Sequence, residues 1–212
     1  KRISVTPMAL VGEPTGASSY VPLAQAMDRA AQELGIDYIA GFSALVEKGI
    51  TSGDAVLIES IPEALAVTQR VCSSINVATT RAGINMDAIA MMGHVIKALA
   101  ENTADRGGIG CAKLCVFANI PQDVPFMAGA YLGVGEPDAV INVGVSGPGV
   151  VKKAIDRMVA DHPDANLGQI TELIKRTAYK VTRVGELIGR EVADILGIPF
   201  GVVDLSLAPT PN

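Results

Sequence analysis

The stretch that most constrains the fold is residues 138–151, which read Asp-Ala-Val-Ile-Asn-Val-Gly-Val-Ser-Gly-Pro-Gly-Val-Val. An aliphatic, β-branched run typical of a buried strand ends at Ser146, and a helical pattern begins at Val150. Proteins of the α/β class often bind ligands where a strand leads through a glycine-rich turn into a helix N-terminus. Backbone N–H groups at Gly147 and Gly149 are candidates for binding a carboxylate or phosphate, and a tight turn without a ligand explains the same glycines equally well.

The turn matches neither of the two common nucleotide-binding motifs. A P-loop needs a different glycine spacing and a Lys-Ser/Thr ending, which residues 146–149 lack. A dinucleotide fingerprint needs Gly-x-Gly-x-x-Gly and an acidic residue on the following strand. The stretch therefore indicates where a ligand binds without indicating which ligand.

Strand-like and helical patterns alternate along the chain. The predicted strands are residues 2–6, 36–42, 71–78, 112–118, 139–145 and 200–205. The predicted helices are residues 53–60, 62–69, 85–99, 150–159 and 167–196, preceded by one that runs from a cap at Ser18 and Ser19 to Leu34. Six strands joined mostly by helices predict βαβ crossovers and a mostly parallel sheet, within a single α/β domain over residues 1–212. We expect this domain to be an incomplete part of a longer chain.

Two of the predicted helices carry more detailed expectations. The first predicted helix has an apolar face formed by Leu23, Ala26, Met27, Ala30 and Leu34. In residues 167–196, the glycines at positions 185 and 189 permit a bend or the close approach of another helix, and the segment could equally form two helices.

Composition excludes several classes of protein. Hydrophobic residues make up 49% of the 212 residues and charged residues 18%, which is enough apolar surface for a folded core and too much for a disordered chain. A net charge of −5 with scattered basic residues argues against nucleic-acid binding. No apolar run reaches membrane-spanning length, so we expect no membrane partner. Three cysteines in apolar surroundings suit reduced thiols and a cytoplasmic location.

Polar residues follow the predicted strands at their carboxyl ends, where parallel sheets bind ligands. Asn85 is predicted to cap the helix that follows the third strand, with Asp87 in its first turn. We expect the polar residues to converge on one cleft rich in hydroxyl and amide groups. The predicted ligand-binding residues are Asn76, Arg81, Asn85, Asp87, Asn119, Ser146, Gly147, Gly149 and Ser206.

Cys72 and Asp204 are the candidate catalytic residues. Cys72 is either a nucleophile or a buried structural cysteine, and the sequence shows no partner base for a nucleophile. Asp204 lies in the apolar run Val-Val-Asp-Leu-Ser-Leu, where an unpaired charge is costly. It therefore needs a partner, and structural pairing and a role as general base or metal ligand are both open.

The sequence favours structural or solvated positions for the other two cysteines and the two histidines. Cys111 and Cys115 are four positions apart on a predicted strand, which places them on one face but too far apart for a Cys-x-x-Cys metal site. His94 has no visible carboxylate partner on its helix, so the sequence favours a packed or half-exposed histidine over a general base. His162 lies in a polar loop and is predicted to be solvated. The sequence assigns no metal and no cofactor.

Seven segments together resemble the PFL family proteins, also called domain of unknown function 711. The segments are residues 2–7, 41–46, 71–77, 82–86, 125–130, 143–151 and 203–211, so the resemblance covers essentially the whole chain. The family name refers to pyruvate formate-lyase, and the resemblance implies a similar α/β barrel, closed in part by further sequence, and a homodimer. It does not imply radical chemistry, because Arg183-Val-Gly lacks the spacing of the glycyl radical motif and Cys72 matches no radical cysteine motif.

These observations favour an enzyme that acts on a small polar or anionic metabolite at the carboxyl ends of the strands. Two alternatives stay open: a regulatory protein that binds a small molecule without chemistry, and a structural subunit built on a barrel similar to that of radical enzymes. The resemblance assigns no reaction to any of the three.

Overall fold

The computed structural model describes residues 1–122, 124–126, 128–133, 135 and 137–207. It is a mixed α/β structure with several parallel strand pairings, as predicted. The chain divides into two compact units, Lys1–Val134 and Gly135–Asn212, each with its own strands and helices. The single domain over residues 1–212 stays a prediction. In the described part of the chain, no helix is both long enough and apolar enough to cross a membrane.

The strands of the first unit are short and mostly parallel. They are β1 (Arg2–Ser4), β2 (Tyr38–Ala40), β3 (Ala44–Leu45), β4 (Ser73–Thr79), β5 (Gly83–Ile84) and β6 (Leu114–Ala118). β1 pairs with β2, and β4 pairs with both β3 and β6, all in parallel, whereas β5 runs antiparallel to β4. A parallel bridge between Ile39 and Val71 joins β2 to the residues that lead into β4.

The parallel strands lie side by side in chain order: β1, then β2 and β3, then β4, then β6. Among the described residues this order contains no reversal of the kind that defines a doubly wound sheet. The carboxyl ends of these strands therefore point the same way. The described strands do not close into a barrel, so the predicted barrel is not confirmed.

The α-helices in the described part of this unit are α1 (Met8–Gly12), α2 (Val21–Glu33), α3 (Ser52–Val67) and α4 (Met86–Asn102). One apolar cluster joins α2, α3 and α4 to the sheet, with fully buried Leu57 and Ile61 of α3, Ile75 of β4 and Leu99 of α4. A much smaller cluster, built on Ala40 and Cys72, lies apart from it. Alternate residues of a strand face opposite sides of a sheet. The two clusters therefore lie on two faces: an apolar face that the helices cover, and a second face of small residues.

Helix α3 is continuous, so the prediction of two helices over residues 53–60 and 62–69 is wrong. Pro62 lies inside α3 and removes one backbone N–H, which costs about 3 kcal/mol in a helix interior. Ile58, Ile61 and Leu65 flank the proline and are fully buried. Each such side chain contributes roughly 1.5–3 kcal/mol when it is buried, which outweighs the cost of the proline.

Three further predictions need correction. Helix α2 begins at Val21, not directly after Ser18 and Ser19, and buries Val21, Ala24, Met27 and Ala31. Leu34, predicted on its buried face, is 67% exposed. The fourth strand begins at Leu114 because Ile109–Lys113 forms a 3-10 helix, so Cys111 and Cys115 do not share a strand. The short elements α1, β3 and β5 were not predicted.

The second unit contains β7 (Ile141–Ser146), α5 (Pro148–Asp161), α6 (Leu167–Leu196) and β8 (Phe200–Ser206), with β7 and β8 parallel. Residues 167–196 form α6 as one unbroken helix, so the alternative of two helices is wrong. Gly185 and Gly189 allow α6 to pack closely on the strands, whereas the sequence had suggested close packing on another helix. A Cβ atom at Gly189 would lie 2.6 Å from Phe200 and from Val143, and one at Gly185 would lie 3.0 Å from Val145.

Candidate functional site

An open cavity of about 430 Å³ lies at the carboxyl ends of β3 and β4 in the first unit. Its lining residues, which define what we name the rim cavity, are Glu47, Lys48, Gly49, Ile50, Asn85 and Asp87. Asn85 and Asp87 are two of the predicted ligand-binding residues. The first four belong to the loop that follows β3, and the other two to the start of α4.

Asparagine side chains hold the two walls of the rim cavity in place. Asn85 Oδ1 accepts a hydrogen bond of 3.1 Å from Ala88 N–H and so caps α4, as predicted. Its Nδ2 donates 2.7 Å to Val46 O on the opposite wall. Asn76, 3% exposed on β4, donates from Nδ2 to Glu47 Oε2 at 3.0 Å. Asn76 and Asn85 therefore position the loop after β3.

The rim cavity contains charged groups that the protein does not pair with one another. Glu47 is half-buried and bonded to Asn76 through one carboxylate oxygen, while Lys48 and Asp87 are exposed. Within the described part of the chain, neither Lys48 nor Asp87 forms an ion pair. Two acidic residues and one lysine thus line the same open cavity.

A second cavity of about 390 Å³ adjoins the rim cavity. Lys48, Gly49 and Ile50 line both cavities, and the second is completed by Ala9, Leu10, Leu45, Thr51 and Asp54. We name it the apolar cavity, because aliphatic residues of α1 and β3 form much of its wall. Leu10 is 54% exposed and Leu45 is 37% exposed, so both have surface available for a ligand.

Carboxylates of the protein occupy the N-terminus of α3 beside the apolar cavity. Thr51 and Asp54 form a capping box in which Asp54 N–H donates to Thr51 Oγ1 at 3.2 Å and Thr51 N–H donates to Asp54 Oδ2 at 3.0 Å. Glu13 Oε1 also accepts hydrogen bonds from Ser52 Oγ at 3.2 Å and Gly53 N–H at 3.4 Å. This helix end is therefore already provided with negative charge.

Three predicted ligand-binding residues of this unit line neither cavity: Asn76, described above, Arg81 and Asn119. Asn119 has a positive φ of 57° and accepts a hydrogen bond of 2.6 Å from Thr80 N–H through Oδ1, so it fixes the turn after β4. Asparagine tolerates this left-handed conformation better than most residues. Arg81 is exposed in that turn.

Cys72 lies on the face of the sheet opposite the main core. It is 2% exposed and clusters with Ala40, Ala128 and Ala130, against which Cys115 packs. Burial raises the pKa of the Cys72 thiol to about 11, although the nearby Lys113 ammonium opposes this shift. Burial also raises the pKa of Cys115. A buried thiol with a raised pKa favours the structural interpretation of Cys72 over the nucleophile.

In the second unit, three predicted residues share one face of the β7–β8 pair. Val143 and Val145 lie against α6, so the alternate residues Gly144 and Ser146 face the other side. In register, Gly144 lies opposite Asp204 and Ser146 lies opposite Ser206. Asp204 is half-buried, so its charge does not require the protein partner that a fully buried carboxylate would need.

The glycine-rich turn differs in detail from the prediction. Helix α5 begins at Pro148, two residues earlier than predicted, so Gly149 lies in its first turn. Gly147 is the buried N-cap, and a Cβ atom there would lie 2.7 Å from Leu207 and 3.0 Å from Leu205. Close packing against β8 and the residue after it accounts for Gly147. A Cβ atom at Gly149 would meet nothing within 4 Å.

The remaining candidates take structural or solvated positions. Among the described residues, no three His, Cys, Asp or Glu side chains come together in a metal-binding group. His94 is exposed on α4, and His162 is exposed at the end of α5, where solvation was predicted.

Sequence reasoning missed the loop residues Glu47, Lys48, Gly49 and Ile50. The preceding strand was predicted at residues 36–42. In the structure a separate strand, β3, follows at Ala44–Leu45, and the loop begins after it. Glu47 and Lys48 are charged residues directly followed by Gly49, whose φ is +143°. A polar, glycine-containing turn after an apolar run is the signal that could have identified this loop.

Comparison with known proteins identifies the family. The family model described as Uncharacterised ACR (DUF711) matches residues 1–212. The chain is 68% identical over 212 residues to a UPF0210 protein of Oleidesulfovibrio alaskensis and 63% identical over 212 residues to one of Methanococcoides burtonii. Each match covers 100% of this chain and 46% of the relative, so the chain spans about half the length of the curated relatives it matches. The chain therefore belongs to the uncharacterised DUF711 family, as its seven resembling segments implied.

Proposed function

We propose that this chain binds a small polar metabolite in the rim cavity. The observation that carries the proposal is the position of the cavity, which opens at the carboxyl ends of two parallel strands and contains unpaired charged groups. Parallel α/β proteins bind their ligands at this edge of the sheet. The hydrogen bonds of Asn76 and Asn85 support the proposal, because they hold the charged loop in a fixed position before a ligand arrives.

We propose further that the protein is an enzyme and that Glu47 transfers a proton to or from the bound metabolite. Glu47 is half-buried, borders the rim cavity and has one carboxylate oxygen bonded to Asn76. A fixed carboxylate beside a bound substrate meets the geometric requirement for general acid–base catalysis. The role of Asp204 as general base or metal ligand, on the face it shares with Ser146 and Ser206, stays a separate proposal.

The proposal extends to the architecture of the complete protein. Strands added in chain order, with three helices in one core on one face, support a singly wound sheet of the kind that α/β barrels contain. A barrel similar to that of pyruvate formate-lyase, a homodimer and a cytoplasmic location are therefore proposals for the full-length protein.

Calorimetric titration with four small probes of different charge tests the binding site. The probes are glycerol, ethanolamine, L-lactate and glycine, each titrated into the intact protein. We expect at least one to bind. If the bound probe carries an ammonium group, as ethanolamine and glycine do, we expect Glu47→Gln and Asp87→Asn each to weaken its binding about tenfold, because each removes a carboxylate that can pair with the ammonium group. Asp105→Asn is the control, because the Asp105 side chain is 77% exposed and lines neither cavity.

Two results would contradict the proposal. Binding of none of the four probes, or binding of ethanolamine or glycine that Glu47→Gln and Asp87→Asn leave unchanged, would exclude the rim cavity as the ligand site. The catalytic part has its own readout, which is exchange of a carbon-bound hydrogen of the bound probe for deuterium in D₂O, followed by NMR. We expect the native protein to catalyse this exchange and Glu47→Gln not to, and binding without exchange would contradict the catalytic part of the proposal.

A further inference from the structure

The two adjoining cavities differ in chemistry along a shared wall. The rim cavity contributes carboxylates from Glu47 and Asp87 and the ammonium group of Lys48. The apolar cavity contributes the aliphatic side chains of Leu10 and Leu45. Lys48, Gly49 and Ile50 line both, so the charged and the aliphatic surfaces lie on either side of three consecutive residues.

The charges of the rim cavity are complementary to a ligand that carries both signs. A ligand ammonium group can pair with Asp87 and with the Glu47 oxygen that does not bond Asn76, and a ligand carboxylate can pair with Lys48. A purely anionic ligand would meet two carboxylates, and a purely cationic ligand would leave Lys48 unpaired. A zwitterion satisfies all three groups.

The apolar cavity indicates the chemistry of the uncharged part of the ligand. Leu10 and Leu45 expose aliphatic surface to solvent at 54% and 37% of their full area, and covering this surface with a hydrocarbon chain is favourable. A cavity of about 390 Å³ accommodates a short aliphatic chain. An aliphatic chain attached to a zwitterionic group would therefore place each part against matching residues.

From these contacts we infer that the protein binds a small zwitterion of the α-amino acid class, with its ammonium and carboxylate groups in the rim cavity and an aliphatic side chain in the apolar cavity. This inference rests on the proposed function and adds the chemical class of the ligand. It predicts two independent properties: a requirement for both charges, and an affinity that increases with the length of the aliphatic chain.

Two ligand series titrated into the intact protein test these properties separately. In the first series, glycine, L-alanine, L-norvaline and L-norleucine lengthen the aliphatic chain. We expect affinity to rise about three- to fourfold per added methylene, the ratio that corresponds to burial of one CH₂ group. In the second series, n-butylamine and pentanoate each lack one charged group of L-norvaline, and we expect both to bind at least tenfold more weakly than L-norvaline.

Matched leucine variants locate the aliphatic chain. Leu10→Ser should reduce the gain per methylene to less than about twofold while glycine binding is unchanged. Leu34→Ser is the control, because Leu34 is also exposed, at 67%, and lines neither cavity. Equal effects of the two variants would contradict the placement of the chain.

The outcomes separate this inference from the proposed function. If glycerol, ethanolamine or L-lactate binds in the rim cavity but the amino acids do not, the inference is wrong and the rim cavity still binds a polar metabolite. If the amino acids bind with no dependence on chain length, the aliphatic part is wrong. If no probe of any series binds, both the inference and the proposed function are wrong.

Discussion

Lys113 illustrates how single polar residues connect the elements of the first unit. It is 6% exposed, and its Nζ donates hydrogen bonds of 2.7 Å to Leu65 O and to Thr68 O. These carbonyls lie at the C-terminal end of α3, where the helix dipole favours a cation. Burial lowers the pKa of Lys113, although the nearby Cys72 opposes that shift. The residue thereby joins the end of α3 to the start of β6.

The raised pKa of Cys72 predicts slow alkylation in the folded protein. With a pKa of about 11, roughly 0.1% of this thiol is thiolate at pH 8, and only the thiolate reacts. We expect iodoacetamide to modify Cys72 at least 100-fold more slowly in the native protein than in urea, with a native rate that rises with pH up to about 11. Mass spectrometry of the individual cysteines measures both rates. Cys111, at intermediate exposure, is the internal comparison.

A different order of reactivity would contradict the structural role of Cys72. If Cys72 reacts fastest of the three cysteines in the native protein near neutral pH, its environment must activate the thiol. The nucleophile interpretation would then be favoured again.

The packing of helix α6 on its strands predicts the effect of a single added methyl group. A Cβ atom at Gly189 would lie 2.6 Å from Phe200 and from Val143, too close for either to stay in place. We expect Gly189→Ala to lower the free energy of unfolding by about 1–3 kcal/mol through overpacking. Urea denaturation followed by circular dichroism measures this change.

Gly149→Ala is the control for this prediction within the same unit. Its Cβ atom would meet nothing within 4 Å, and the position lies in the first turn of α5. We expect this variant to be unchanged or stabilised by up to about 1 kcal/mol, because alanine favours helix more than glycine does. Equal stability of Gly189→Ala and the native protein would contradict close packing at Gly189.

Long elements without an internal proline were predictable from the sequence, and the two-residue strands were not. Helix α6 has a clear helical period, an N-cap at Asn166 and a left-handed Gly197 after its last residue, all of which are local signals. The two-residue strands β3 and β5 have no periodicity to detect and exist because β4 pairs with them. Helix α2 offers two adjacent apolar faces in its sequence, and packing against the sheet selects the face of Ala24 and Ala31.

For the chain as a whole, part of the lining of the rim cavity was predictable and the rest was not. Asn85 and Asp87, which line this cavity, were among the predicted residues because both belong to the start of a long helix with a recognisable cap. Glu47 and Lys48 were missed because their loop follows β3, whose position depends on pairing between distant residues. The ligand-binding residues of the second unit were predicted because they follow strands at their carboxyl ends. That they form one cleft with Asn85 and Asp87 stays a prediction.

Chemical-shift mapping by ¹H–¹⁵N NMR shows whether a small polar metabolite binds in the rim cavity. The protein is titrated separately with glycine, L-lactate, ethanolamine and glycerol. We expect at least one probe to cause saturable shifts, with the largest at the backbone amides of residues 47–50, 85 and 87, which line the cavity. Saturable shifts confined to other parts of the chain, or none with any of the four probes, would contradict binding in the rim cavity.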